Sequence, residues 1–262
     1  MAENTLAFIQ INGINTAEVV RGDGDPILFL HGWGADSSLI LPLADQLIPL
    51  GYRAYIPDLP GFGQTDEPPT AWTIFDYVDF VLAYLDYHQL EQVVLFGHSF
   101  GGRLGLILGA EHSRRVSKMI LANAAGIRPK TPIAQQARLK TYKSIRDGLT
   151  AMGAKGLSDW LRNQYNTRYG SSDFNNTSGI MRQTFIQVIN QDLLNYAERV
   201  DVSTLLFWGD QDEETPLWMG ETLEKTIPDA GLVVLEGTGH YSYIQKNVKT
   251  AQVINFFLKQ NQ

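Results

Sequence analysis

The segment Val93-Val94-Leu95-Phe96-Gly97-His98-Ser99-Phe100-Gly101-Gly102-Arg103-Leu104-Gly105-Leu106-Ile107-Leu108 decides how the chain folds. It opens on a run of β-branched and bulky apolar residues, the composition of a strand covered on both faces. It closes on Arg103-Leu104-Gly105-Leu106-Ile107-Leu108, which reads as a helix. Between the two stands a G-x-S-x-G pattern, from Gly97 to Gly101. A serine on so sharp a strand-to-helix turn has its hydroxyl exposed, and the flanking glycines let the two backbones approach. The helix N-terminus behind the serine points amide hydrogens at any negative charge developing there.

Outward from this segment, short apolar runs alternate with helical patterns. Candidate strands are residues 5–11, 14–20, 26–31, 53–57, 92–97, 116–122, 203–208 and 231–236. The first two are split near Asn12-Gly13 and read as a hairpin. Helices are expected at 36–50, with Asp36 as its cap, and at 74–88, 100–112, 217–227 and 245–260. The alternation predicts an α/β chain: a mostly parallel, eight-stranded twisted sheet with helices on both faces. Residues 125–200 break the rhythm with helical patterns and no convincing strand. Their charge differs too: residues 126–200 hold 11 Lys+Arg against 5 Asp+Glu, and the remainder holds 10 against 23. We therefore expect a core of residues 1–124 and 201–262 and a basic helical cap, or lid, over 125–200.

Composition excludes several function classes. The 262 residues carry a formal charge of −7, which opposes general nucleic-acid binding. There is no cysteine, hence no disulfide framework, thiolate metal site or cysteine nucleophile. The apolar runs are strand-sized and the first ten residues lack a signal-peptide pattern, so a cytoplasmic protein with no integral membrane association is expected. P-loop, H-E-x-x-H and G-x-G-x-x-G patterns are missing.

A serine hydroxyl needs a base, and the base needs an acid. Of the five histidines, His240 ends Gly237-Thr238-Gly239-His240 after a strand, at the edge where ligands meet an open α/β sheet. His98 reads as packing, and His88 and His112, at helix ends, read as surface residues. The loop Trp208-Gly209-Asp210-Gln211-Asp212-Glu213-Glu214 offers several acids, with Asp212 the first choice and Asp210 the next. The loop Ala122-Asn123-Ala124-Ala125-Gly126 offers none. Oxyanion donors would be the backbone N–H groups of Phe100 and of Trp33, in His31-Gly32-Trp33-Gly34.

Together, His31-Gly32-Trp33-Gly34, Asp58-Leu59-Pro60-Gly61-Phe62-Gly63, Gly97-His98-Ser99-Phe100-Gly101-Gly102, Gly209-x-x-Asp212-x-x-x-Pro216 and Gly239-His240 resemble the α/β-hydrolase superfamily over nearly the whole chain. The order Ser, Asp, His is the order of that fold. The resemblance implies a Ser99–His240–Asp212 triad and an esterase-like hydrolase of carboxylic esters that uses no cofactor and no metal. Lactonase and thioesterase are near neighbours. The dehalogenases and epoxide hydrolases of the fold carry aspartate where this chain has Ser99. Its carbon–carbon bond hydrolases typically place Asn where this chain has His98, and its proline iminopeptidases Trp where it has Phe100. Gly101-Gly102-Arg103 is similar to the elbow of a menaquinone-pathway lyase, in which the arginine meets a substrate carboxylate; otherwise Arg103 reads as a surface ion pair. A non-catalytic binding protein of this fold is the remaining alternative. Other expected substrate contacts are His31 and the cap residues Trp160, Tyr165 and Phe185, with Tyr169, Phe174 and Met181 on the same underside. The expected partner is a small-molecule ester, and nothing in the sequence marks a particular oligomeric state.

Overall fold

Eight strands form one sheet in the order β1-β2-β4-β3-β5-β6-β7-β8, in a computed structural model that describes residues 6–128, 133–169 and 177–260. They are β1 Ala7–Ile11, β2 Ile14–Arg21, β3 Asp25–Leu30, β4 Tyr52–Pro57, β5 Val93–His98, β6 Val116–Ala122, β7 Thr204–Gly209 and β8 Ala230–Leu235. All eight coincide with the strands read from the sequence. Asn12 and Gly13 both take left-handed backbone, with φ of 49° and 83°, as a two-residue hairpin turn demands. β2 pairs antiparallel with β1 and β4, and every other pairing is parallel.

The central strands are apolar throughout because both faces are covered. Leu28, Leu30, Leu95, Leu121 and Leu206 point into one core layer, shared with α2 (Ile74–Tyr87) and α3 (Phe100–Glu111). Ile27, Phe29, Phe96, Ile120 and Phe207 point into the other, shared with α1 (Ser37–Leu47) and a C-terminal helix, Asn247–Lys259. Asp36 caps α1 by accepting from Ser38 N–H at 2.9 Å, and Thr73 and Asp76 form a reciprocal capping box on α2.

Between β6 and β7 the described residues form helices only: α4 Ile133–Ala151, α5 Lys155–Tyr169, α6 Gly179–Ile189 and α7 Leu194–Ala197. α6 buries Met181, Thr184, Phe185 and Val188, a stripe at helical spacing laid on the core. α4 and α5 pack on each other and leave Ile145, Met152, Leu157 and Trp160 exposed. Trp160 is 57% exposed and does not lie on an inner face. The side chains of Tyr165, Tyr169 and Phe174 fall outside the described residues. After β7 comes α8 (Leu217–Thr226); after β8 come α9 (Ser242–Gln245) and α10 (Asn247–Lys259).

His88 departs from its reading as a surface residue. It is half-buried, and its Nε2 lies 2.7 Å from Glu18 Oε2, a buried carboxylate that also accepts from the Tyr84 hydroxyl. A long-range partner on β2 draws in a side chain that its place at a helix end would leave in water.

Candidate active site

The carboxyl ends of β3, β5, β6, β7 and β8 feed the loops that carry Trp33, Ser99, Asn123, Asp212 and His240. Ser99 joins β5 to α3 with φ 49° and ψ −104°, a conformation that a non-glycine residue holds at a cost of about 1–3 kcal/mol. The neighbouring glycines permit it. A Cβ on Gly97 would lie 2.5 Å from Gly101 O, and one on Gly101 would lie 2.1 Å from Leu30 O. Ser99 N–H donates to Ala122 O at 3.1 Å, and Ser99 O accepts from Ala125 N–H at 3.0 Å, which fixes the turn against β6.

Two backbone donors beside Ser99 are unengaged. Neither Phe100 N–H, at the first position of α3, nor Trp33 N–H has an acceptor among the described residues. Gly101 N–H donates to His31 O at 3.1 Å and so ties the two loops together. The Trp33 ring sits edge-on among Phe62, Phe100 and Phe185, at centroid distances of 4.8, 5.3 and 4.9 Å. Phe185, expected to contact substrate, is buried and packs on Trp33 instead.

His240 and Asp212 meet across the β7 and β8 loops, with Nδ1 to Oδ2 at 2.9 Å. Five donors converge on this one carboxylate. Oδ2 faces His240 Nδ1 and accepts from Thr215 Oγ1 at 2.6 Å and Asn123 Nδ2 at 2.6 Å. Oδ1 accepts from the N–H groups of Glu214 and Thr215, both at 2.9 Å. Burial pushes the Asp212 carboxyl up, but the hydrogen bonds from His240 and Thr215 outweigh it and bring the pKa down to about 2. An ionised Asp212 favours the His240 tautomer that carries its proton on Nδ1. Trp208, fully buried on β7, donates from Nε1 to Thr215 O at 2.6 Å and pins the same turn. Asp210, the competing acid, lies on the outside of the loop and accepts from Gly237 N–H at 2.7 Å.

His240 Nε2 faces Glu214 Oε2 at 3.4 Å, and Ser99 Oγ makes no hydrogen bond among the described residues. Asp212 and His240 are thus joined by a hydrogen bond, and the Ser99 hydroxyl is not engaged by a described residue. Bonds of this kind are often loose without substrate and tighten in the complex.

Two expected contacts are corrected. His31 is fully buried: its Nδ1 is 2.8 Å from Gly32 O, and its Nε2 accepts from Leu59 N–H at 2.9 Å. Both ring nitrogens serve the loop, and burial lowers its pKa, so it is a neutral core histidine. Arg103 does not make a surface ion pair, and its side chain is turned to the backbone below the cap. It is buried, and its Nη2 donates to Val188 O at 2.8 Å and Gln191 O at 2.5 Å, at the C-terminal end of α6. Burial brings its pKa down to about 10, still charged near neutrality.

Two residues that the sequence reading passed over, and one that it read as packing, complete the support. Asn123 is fully buried with φ 47° and links Asp212 to Ser242, whose Oγ donates to Asn123 Oδ1 at 2.5 Å. Thr215 Oγ1, besides its bond to Asp212, lies 3.1 Å from Asn123 O. His98, read as packing, also faces the carbonyl of His240 with Nε2 at 3.0 Å. Asn123 had one signal, as the lone polar residue of Ala122-Asn123-Ala124-Ala125; Thr215 had none.

A groove of about 470 Å³ runs from Trp33 and Tyr241 past Phe62 to Ser178 and Met181, with Asp36 and Glu67 on its walls. Among the described residues, no group of three or more His, Asp or Glu side chains is placed to hold a metal ion. None of the described helices is long and apolar enough to cross a membrane.

Residues 25–142 match a family model described as alpha/beta hydrolase fold, and residues 184–262 match one described as TAP-like protein. The chain is 29% identical over 256 residues to the AB hydrolase superfamily protein YisY of Bacillus subtilis (strain 168), covering 90% of this chain and 92% of that protein. It is 28% identical over 272 residues to a 2-hydroxymuconate semialdehyde hydrolase of Pseudomonas sp. (strain CF600), covering 94% and 91%. The solved structure of an esterase from Exiguobacterium antarcticum superposes with a TM-score of 0.74 at 24% identity, covering 98% of this chain and 100% of that one.

Proposed function

Because the chain belongs to the α/β-hydrolase fold superfamily, we propose that it is a serine hydrolase that cleaves carboxylic esters through an acyl-enzyme on Ser99. The observation that carries this reading is the backbone of Ser99: φ 49° at the head of a helix, beside two unengaged amides. A serine with no chemical task would be released from that strain at little loss.

In this reading His240 Nε2 takes the proton of Ser99 Oγ as the oxygen attacks the ester carbonyl. The tetrahedral oxyanion sits between Trp33 N–H and Phe100 N–H. Asp212 stays ionised and stabilises the imidazolium through Oδ2. His240 then hands the proton to the leaving alcohol, and water attacks the acyl-enzyme by the same route in reverse. The helical insertion of residues 125–200 serves as the cap over the groove, held down by α6. The lyase alternative took Arg103 as a carboxylate receptor, and here the side chain is buried with its Nη2 on the carbonyls of Val188 in α6 and Gln191 just beyond it.

The test is a p-nitrophenyl ester series of increasing chain length together with a fluorophosphonate label mapped by mass spectrometry. We expect ester turnover, label on Ser99, and a loss on the order of 10⁴-fold or more in kcat for Ser99→Ala. Full activity of purified Ser99→Ala would overturn the reading.

A further inference from the structure

Glu214 is the one acidic side chain of the 210–216 loop that approaches the base from the side opposite the acid. The turn that presents Asp212 also presents it: Asp212 Oδ1 accepts from Glu214 N–H and Thr215 N–H, both at 2.9 Å. Its carboxylate then reaches Oε2 to within 3.4 Å of His240 Nε2, with the Glu214 side chain 57% exposed. Nε2 is the atom that returns the proton to the leaving group. The leaving oxygen must therefore come within about 3 Å of Nε2. That puts it no more than about 6.5 Å from Glu214 Oε2.

From this placement we infer that Glu214 is a specificity-determining residue that favours substrates whose leaving group carries positive charge and rejects those whose leaving group is anionic. The inference rests on the serine-hydrolase reading above. The neighbouring groove, which reaches Tyr241 next to His240, has the same sign: it carries Asp36 and Glu67 and no lysine or arginine among its described lining residues. The cation that could have welcomed an anion, Arg103, is committed to α6. A unit charge that the leaving group carries to within about 6.5 Å of Glu214 Oε2 is worth, in a water-like dielectric, roughly a three-fold change in rate, so a cation and an anion of equal shape and reach should differ by about ten-fold.

Matched methylphosphonothioates test this without knowledge of the natural substrate. Their leaving thiols end in trimethylammonium, tert-butyl or carboxylate groups of similar size. In each case the Ser99 Oγ–P bond forms, the P–S bond breaks, and the Ser99 proton passes through His240 to the departing thiolate. The readout is the second-order rate of Ser99 modification, followed by mass spectrometry. In the wild type we expect the order cation, neutral, anion. Glu214→Gln should compress the cation-to-anion ratio by about ten-fold, Glu214→Lys should reverse the order, and Glu214→Asp should keep it. Salt at 0.5 M should compress the wild-type ratio as well. A ratio within two-fold in the wild type and in Glu214→Gln would overturn the inference alone. Failure of all three reagents to modify Ser99 would overturn the serine-hydrolase reading and this inference with it.

Discussion

Replacing Asp212 by Asn removes a charge and also breaks a hydrogen-bond count. Five donors point at its two oxygens. An amide has one oxygen, and its NH₂ cannot accept. With the NH₂ on the Oδ1 side, the N–H groups of Glu214 and Thr215 lose their acceptor. With it on the Oδ2 side, His240, Thr215 Oγ1 and Asn123 Nδ2 lose theirs, and the imidazole is driven to the wrong tautomer. Either way at least one buried donor is stranded, Thr215 N–H in the first case and Asn123 Nδ2 with His240 in the second, at about 1–3 kcal/mol each, so stability should fall by at least about 1–3 kcal/mol. Ester turnover should fall by about 10⁴-fold, the scale of losing the orienting acid in a serine triad. Asp210→Asn is the control. Its exposed amide can keep an oxygen on Gly237 N–H and Thr238 N–H, and activity should drop by less than about ten-fold. The assays are kcat/KM on a p-nitrophenyl ester and urea unfolding at pH 7. Equal losses for the two variants, or an Asp212→Asn protein as stable as the wild type, would refute the count.

Other outcomes follow from single contacts. Gly101→Ala should fail to fold or lose more than about 3 kcal/mol, because the new methyl meets Leu30 O at 2.1 Å; circular dichroism melting checks it. Arg103→Met should lose about 2–4 kcal/mol through two charge-assisted bonds and speed proteolysis near residues 188–191, while leaving any preference between anionic and neutral esters unmoved. Thr215→Val should lower kcat by about ten-fold with KM little changed, since the hydroxyl steadies the acid and touches no substrate; steady-state kinetics decide it. Acid should act in two stages. Burial, with His240 beside it, brings the pKa of His98 down to about 3, so the unfolded chain binds a proton that the folded one refuses, and stability falls as pH drops from 6.5 towards 3. Asp212, lowered from 3.8 to about 2, adds stability on the order of 2 kcal/mol that is present above 3.8 and lost as pH falls through 2. Urea titrations across this range should show both slopes, and Asp212→Asn should lack the second.

Local pattern carried the fold. The strands β3, β5 and β7 were legible as apolar runs buried on both faces, the outer ones as short β-branched and aromatic runs between turns, and the hairpin because Asn12-Gly13 suits left-handed backbone. Ser99 was legible because its turn leaves a glycine signature on both sides. What failed was long-range pairing. Arg103 finds its partners 85 and 88 residues away, and no spacing rule reaches that far. Asp210 and Asp212 are equivalent as letters and differ only in which side of one turn they face. Asn123 reaches Asp212 from the neighbouring strand's loop, so its role exists only once the sheet has formed, whereas Thr215 sits on Asp212's own turn, where a threonine carries no pattern that marks it.

The grip of Arg103 on α6 has a mechanical corollary. The arginine grows from the same helix whose first amide borders Ser99, and it holds only the far end of α6, at Val188 and Gln191. That grip is one of several along the helix: Met181, Thr184 and Phe185 are buried on the core, and Thr184 Oγ1 accepts from Trp72 N–H at 3.0 Å, so α6 is clamped over its whole length beside the groove and is not hung from one end. Any pull on the Val188–Gln191 end would be passed through Arg103 to the helix that begins at Ser99, so that helix and α6 are mechanically one unit.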